Sequence, residues 1–175
     1  MKTDMIVKTG IFVALTVLLS YIFAIHTTFI HITFGFLSTA IFGILYGPMA
    51  AGIMAAIACF IGMSLFGQGV FFPGFIISEF LVGYIYGYFL HGRDITLKKL
   101  LLPEMIVTVC IHLILNTLWL TIFYNKAVSA IFVGRLIKNI ICFPLEIALI
   151  LIVYKAVSKF MVQKKWVIGQ NVLVL

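Results

Sequence analysis

Six apolar blocks separated by short polar connections account for most of this 175-residue chain. The blocks span residues 6–25, 36–45, 49–66, 73–90, 100–123 and 131–155. Most of them have the length of about 20 residues with which a helix crosses about 30 Å of hydrocarbon. With 64% hydrophobic and 10% charged residues, the chain is far more apolar than a soluble domain. The sequence therefore predicts an all-α, multi-pass integral membrane protein of the cell membrane with six transmembrane helices. They form one domain at 1–162, followed by a tail at 163–175.

Basic residues indicate the orientation of this domain in the bilayer. They accumulate before the first block, between the fourth and fifth blocks and after the last one: Lys2 and Lys8; Arg93, Lys98 and Lys99; Lys155, Lys159, Lys164 and Lys165. Six crossings place all three groups on one side, which the positive-inside rule makes cytoplasmic. Both termini are then cytoplasmic. The net charge of +7 arises from these scattered residues and forms no basic face, so no nucleic-acid partner is expected.

Small residues mark two features of the first three blocks. Gly47-Pro48 is a turn signal that predicts a tight hairpin between the second and third helices. Gly10 and Ala14 are four residues apart in the first block, a spacing that lets another helix approach closely. This smooth face serves either packing within the chain or the docking of a second membrane protein.

Polar side chains in the last two blocks share helix faces. His112, Asn116 and Trp119 follow one another at i, i+4 and i+7, which places them on one stripe of a helix. Arg135 and Lys138 lie three residues apart on the next helix. Ionisable groups at membrane depth usually face a cavity or pair with a partner. The pattern predicts a pocket shielded from lipid in the outer half of the membrane.

The charges of this pocket do not balance within the chain. Glu79, in the fourth block, is the carboxylate expected near Arg135 and Lys138. Two cations against one carboxylate leave a positive charge, which an anionic ligand group would neutralise. The alternative is that one cation extends to the membrane surface or that Glu79 pairs internally.

Aromatic and glycine residues precede the fourth block. Phe72 on a turn before Gly74 can stack on a planar ligand or belong to an interfacial aromatic belt. His26 and His31 are five residues apart and would not share a helix face, so no metal site is expected. The cysteines show no paired spacing and are interpreted as inert helix residues: Cys59, Cys110 and Cys142.

Motifs for catalysis and nucleotide hydrolysis are missing from the sequence. There is no GxxxxGK[ST] phosphate loop, GxSxG elbow or HExxH helix, so no enzymatic activity and no cofactor are expected. Glu146 and His112 form either a neutralised buried pair or the acid and base of an intramembrane enzyme. Glu104 beside Pro103 is interpreted as a carboxylate at a helix N-terminus. A purely structural membrane scaffold is a third alternative.

The run His-Leu-Ile-Leu-Asn-Thr-Leu-Trp-Leu at 112–120, followed by Arg-Leu-Ile-Lys-Asn at 135–139, resembles the folate-specific substrate-binding S component of energy-coupling factor (ECF) transporters. Phe-Pro-Gly-Phe at 72–75 and Leu-Tyr-Gly-Pro at 45–48 are also similar to that family. The resemblance implies a six-helix bundle that captures folate or a related pterin at the outer face. It also implies two kinds of partner: a membrane coupling (T) subunit, on which helices one to three dock, and two ATP-binding subunits.

The resemblance suggests roles for the pocket residues. Arg135 and Lys138 would bind anionic or carbonyl oxygens, while Trp119 and Phe72 would sandwich aromatic rings. Asn116 would read the pterin edge, and Glu79 would accept hydrogen bonds from it. The full set expected to bind substrate is Arg135, Lys138, Asn116, Trp119, His112, Glu79, Phe72 and Gly74, and the set expected to dock is Gly10 and Ala14. An S component for riboflavin or thiamine is the alternative within transport.

Overall fold

A computed structural model describes residues 2–26, 31–66, 72–93, 95–124 and 128–164. Within these ranges the side chains at 2, 25–26, 31–32, 123–124, 128–135 and 159–164 are outside the description. The tail expected at 163–175 lies beyond the described residues except for its first two. The side chain of Arg135 is outside as well.

The described chain is almost entirely helical. In chain order the elements are α1 (Lys2–Val17), a first π-helical segment (Leu18–Ile22), β1 (Ile25–His26), β2 (His31–Ile32), α2 (Gly35–Tyr46), α3 (Pro48–Phe66), α4 (Pro73–Leu90), α5 (Leu97–Ile106), a second π-helical segment (Val107–Leu115), α6 (Asn116–Tyr124) and α7 (Val128–Lys164). α5, the second π-helical segment and α6 form one continuous rod. The expected helical class is confirmed.

Five stretches of the described chain are long and apolar enough to cross a membrane. They are Thr3–Ile22, Pro48–Phe66, Pro73–Leu90, Leu97–Ile122 and Leu136–Ser158. The sixth expected crossing corresponds to α2, which is apolar but has only 12 residues. Large apolar side chains such as Ile6 and Leu65 are 70% and 72% exposed, as lipid-facing residues are.

Close backbone contact holds α3 against α4. A Cβ atom at Gly83 would lie 2.4 Å from the Ala51 carbonyl oxygen, and one at Gly87 would lie 2.4 Å from Pro48 Cα. Only glycine permits this approach, as small residues do between membrane helices. Gly47 adopts φ +85°, a conformation that favours glycine, and α3 begins at the next residue. The tight hairpin expected at Gly47-Pro48 is therefore present.

The segment between α1 and α2 differs from the sequence-based picture. Residues 25–26 and 31–32 form a short antiparallel ladder in which His26 is paired with His31. The sequence-based argument treated these two histidines as residues of a helix, and that assumption was wrong. They lie in a hairpin, where two residues five apart can be directly opposite one another. Among the described residues, no group of three or more His, Cys, Asp or Glu residues is arranged to hold a metal ion.

Glu104 also departs from expectation. The interpretation as a helix N-terminal carboxylate was wrong, because α5 already begins at Leu97 and places Glu104 about two turns inside the helix. Its side chain is completely buried, and Oε2 accepts a hydrogen bond of 2.8 Å from the Tyr86 hydroxyl.

Candidate binding site

An aromatic pair lies where α4 begins. The ring centroids of Phe72 and Trp119 are 5.4 Å apart with an interplanar angle of 50°. Gly74 makes this contact possible, because a Cβ atom there would lie 2.5 Å from Phe72 Cε1 and 2.6 Å from Trp119 Cδ2. Phe72, Gly74 and Trp119, all expected in the site, thus come together. Since the rings touch each other, a planar group can enter between them only if they separate.

A hydrogen bond fixes the indole of this pair. Trp119 Nε1 donates to Ser78 Oγ at 3.1 Å, and Ser78 is 1% exposed on α4. The bond satisfies two polar groups that would otherwise be buried without a partner. Ser78 was not among the expected site residues, although its position next to Glu79 in an apolar block was a usable signal.

Buried amide and hydroxyl groups lie one turn from Trp119. Asn116 begins α6, is 9% exposed and has Nδ2 3.4 Å from His112 Nδ1. Its Oδ1 has no hydrogen-bond partner among the described residues, and neither does Oγ1 of the neighbouring Thr117. Whichever way the amide is placed, one polar atom of Asn116 has no partner among the side chains that the structure describes. A ligand with complementary hydrogen-bonding groups would satisfy it.

Four elements converge on Glu79. Its carboxyl group on α4 interacts electrostatically with Lys138 of α7, with Tyr21 of the first π-helical segment and with Cys59 of α3. The part of the chain with described side chains contains one ion pair within 4.0 Å, Lys8 with Asp4. Glu79 and Lys138 are therefore neighbours without a direct salt bridge, and both keep capacity for a ligand.

Tyr21 and Cys59 were not expected in this region. The Tyr21 ring stacks on Phe66 at 5.5 Å and 16° and lies over Gly62, where a Cβ atom would clash with it. No spacing rule connects positions 21, 59 and 79, so only the folded chain reveals their proximity.

The expected docking residues border a different surface. An open apolar groove of about 1020 Å³ runs between α1 and α3. Gly10 and Ala14 are both exposed and line it, and a Cβ atom at Gly10 would meet nothing within 4 Å. The alternative, packing within the chain, does not account for these two residues.

Comparisons with known proteins agree over nearly the whole length. Residues 4–154 match the family described as ECF transporter, substrate-specific component. The folate transporter FolT of Clostridium novyi (strain NT) is 35% identical over 164 residues, 94% of this chain and 95% of that protein. FolT of Leuconostoc mesenteroides is 26% identical over 156 residues, 85% and 83% of the two chains. A crystal structure of FolT bound with folic acid has 41% identity and a TM-score of 0.79, covering 85% of this chain and 89% of that one.

Proposed function

Because the chain belongs to the family of substrate-specific components of ECF transporters, we propose that it binds folate within the membrane with high affinity for import. Membership makes it a multi-pass cell-membrane transport protein rather than an enzyme. The observation that carries the choice of folate is the similarity, in sequence and in fold, to a FolT structure that holds folic acid.

The chemistry of the candidate site supports this substrate. Folate has a flat pterin, a benzoyl ring and a glutamate tail with two carboxylates. Asn116 Oδ1 and Glu79 are acceptors suited to the pterin N–H groups, and Asn116 Oδ1 has no donor among the described residues. Trp119 and Phe72 offer ring faces for stacking. Lys138, whose ammonium has no carboxylate within 4.0 Å in the described part of the chain, binds a carboxylate of the tail.

Arg135 and His112 complete the proposed site. Arg135 precedes Lys138 by one helical turn on α7, and its guanidinium is proposed to bind the second anionic group. His112 contacts Asn116 and is proposed to orient its amide. Two cations against Glu79 then require an anionic guest for charge balance.

Energy for import is proposed to come from partner subunits. The sequence contains no phosphate-binding loop, so ATP hydrolysis falls to two ATP-binding subunits joined through a membrane coupling subunit. The coupling subunit is proposed to dock on the apolar groove bordered by Gly10 and Ala14. In this arrangement α2 makes a sixth, short crossing, both termini are cytoplasmic and the aromatic pair faces outward.

Tryptophan fluorescence provides the test, because the chain has two tryptophans. A Trp166→Phe variant leaves Trp119 as the reporter. Titration of the purified variant with folate is expected to change its emission saturably at micromolar concentration or below. Riboflavin and thiamine serve as competing ligands. An emission that folate leaves unchanged while riboflavin or thiamine alters it would overturn the choice of vitamin, and an emission that none of the three alters would overturn binding at this site.

A further inference from the structure

The end of the bundle opposite the aromatic pair contains a second group of buried polar side chains. Glu104 on α5 is 0% exposed, and Tyr86 on α4, whose hydroxyl donates to Glu104 Oε2 at 2.8 Å, is 1% exposed. Glu104 Oε1 is also buried but has no hydrogen-bond donor among the described residues. An oxygen of a buried carboxyl group normally has such a donor. A further hydrogen at Oε1 would satisfy this oxygen.

The neighbour of this carboxyl group is a second one. Glu146 of α7 interacts with the Glu104 carboxyl group. The course of the chain explains the contact: Glu104 precedes the end of α6 by 20 residues, and Glu146 follows the start of α7 by 18. Antiparallel rods with a rise of 1.5 Å per residue bring these two positions level. Two ionised carboxylates in contact repel strongly where water is excluded.

We propose that Glu104 and Glu146 form a proton-binding site in which the two carboxyl groups share one proton. The protonated carboxyl group donates to the ionised one, and Tyr86 donates to the free oxygen of Glu104. The pair then carries one negative charge instead of two. The shared proton links α5 to α7, and the hydrogen bond from Tyr86 links α5 to α4. The candidate binding site lies at the other end of this bundle.

A proton fits this site better than a metal ion. Oxygen-ligated cations take about six oxygen ligands, whereas in the described part of the chain Glu146 and Tyr86 act on Glu104. Also among the described residues, Cys142 on α7 interacts with Glu146, and Glu79 on α4 interacts with Tyr86. Lys138 interacts with Cys142 and Glu79 rather than with Glu104.

Infrared spectroscopy of the purified protein in lipid nanodiscs detects the proton directly. At neutral pH the carbonyl band of a protonated carboxyl group is expected, and it shifts in heavy water. The double variant Glu104→Gln/Glu146→Gln is expected to lose the intensity of one protonated carboxyl group. An Asp4→Asn variant, at an exposed carboxylate that pairs with Lys8, serves as the control and is expected to keep that intensity. The shared proton would be overturned if the double variant kept the full intensity of the band or lost the intensity of two groups. It would also be overturned if the band of the original protein disappeared when sodium or potassium is added.

Thermal unfolding tests the fastening role. The double glutamine variant keeps hydrogen-bonding groups of the same shape without charge, so its unfolding midpoint is expected to stay within about 2 °C of the original. Glu104→Ala leaves Tyr86 and Glu146 without their partner and is expected to lower the midpoint by about 5 °C or more. Equal midpoints for Glu104→Ala and the original protein would contradict this role. Both readouts are made without folate, so their outcome is independent of the proposed substrate.

Discussion

Gly74→Ala is the sharpest perturbation of the candidate site. The added Cβ would lie 2.5 Å from Phe72 Cε1 and 2.6 Å from Trp119 Cδ2, whereas carbon atoms in contact are about 3.5–4.0 Å apart. Each ring therefore has to withdraw by about 1 Å. A movement of that size is enough to break the 3.1 Å hydrogen bond from Trp119 to Ser78.

The energetic cost of this withdrawal sets the expected loss of affinity. Overpacking of this kind costs about 1–3 kcal/mol, and this cost enters the folate Kd when the complex holds the two rings against position 74 more tightly than the free protein does. Since about 1.4 kcal/mol corresponds to a tenfold change in Kd, the folate Kd is expected to rise by about 10-fold to 100-fold. Isothermal titration calorimetry measures the Kd, and the emission of Trp119 in the Trp166→Phe background reports the displaced indole.

Gly10→Ala is the matched control for this substitution. A Cβ atom at Gly10 meets nothing within 4 Å, so the isolated variant is expected to bind folate within about twofold of the original protein. If Gly74→Ala keeps both the original Kd and the original Trp119 emission, the aromatic pair has no part in binding and the reasoning is refuted.

Three further substitutions test separate parts of the account. Lys138→Met removes the cation proposed to bind a carboxylate and is expected to raise the folate Kd by about 10-fold to 100-fold in calorimetry, whereas the exposed Lys98→Met is expected to leave it unchanged. Asn116→Leu removes the buried acceptor and is expected to raise the folate Kd by about tenfold. An unchanged Kd would show that Asn116 Oδ1 does not contact folate. Ala14→Trp fills the apolar groove and is expected to abolish co-purification with the coupling subunit while folate binding persists. Ala148→Trp, on the exposed face of α7, is its control, and equal co-purification of the two variants would exclude docking at the groove.

The sequence predicted the helices better than it predicted their inward faces. The bounds expected for the fourth block, 73–90, coincide with α4, and the Gly47-Pro48 turn lies where it was expected. These features depend on local signals such as apolar length, glycine and proline. Helix faces are harder to assign, because lipid and protein interior both select apolar side chains. For this reason the sequence did not predict that Glu104 is completely buried inside α5.

Backbone irregularities and interactions between distant segments are further features that the sequence did not predict. The π-helical segment Val107–Leu115 changes the periodicity of the rod that carries His112, and no residue pattern announces it. His112 and Asn116 nevertheless remain adjacent, so this part of the predicted stripe is present. The electrostatic interactions of Glu79 with Tyr21 and Cys59 involve three distant parts of the chain, and local spacing does not encode them.

Calorimetric titration of the purified protein with folate tests whether folate is the ligand of this chain. Saturable binding of one folate per chain with a Kd of about 1 μM or tighter is expected, and no saturable heat from riboflavin or thiamine. Absence of saturable heat with folate, or tighter binding of one of the other two vitamins, would contradict it.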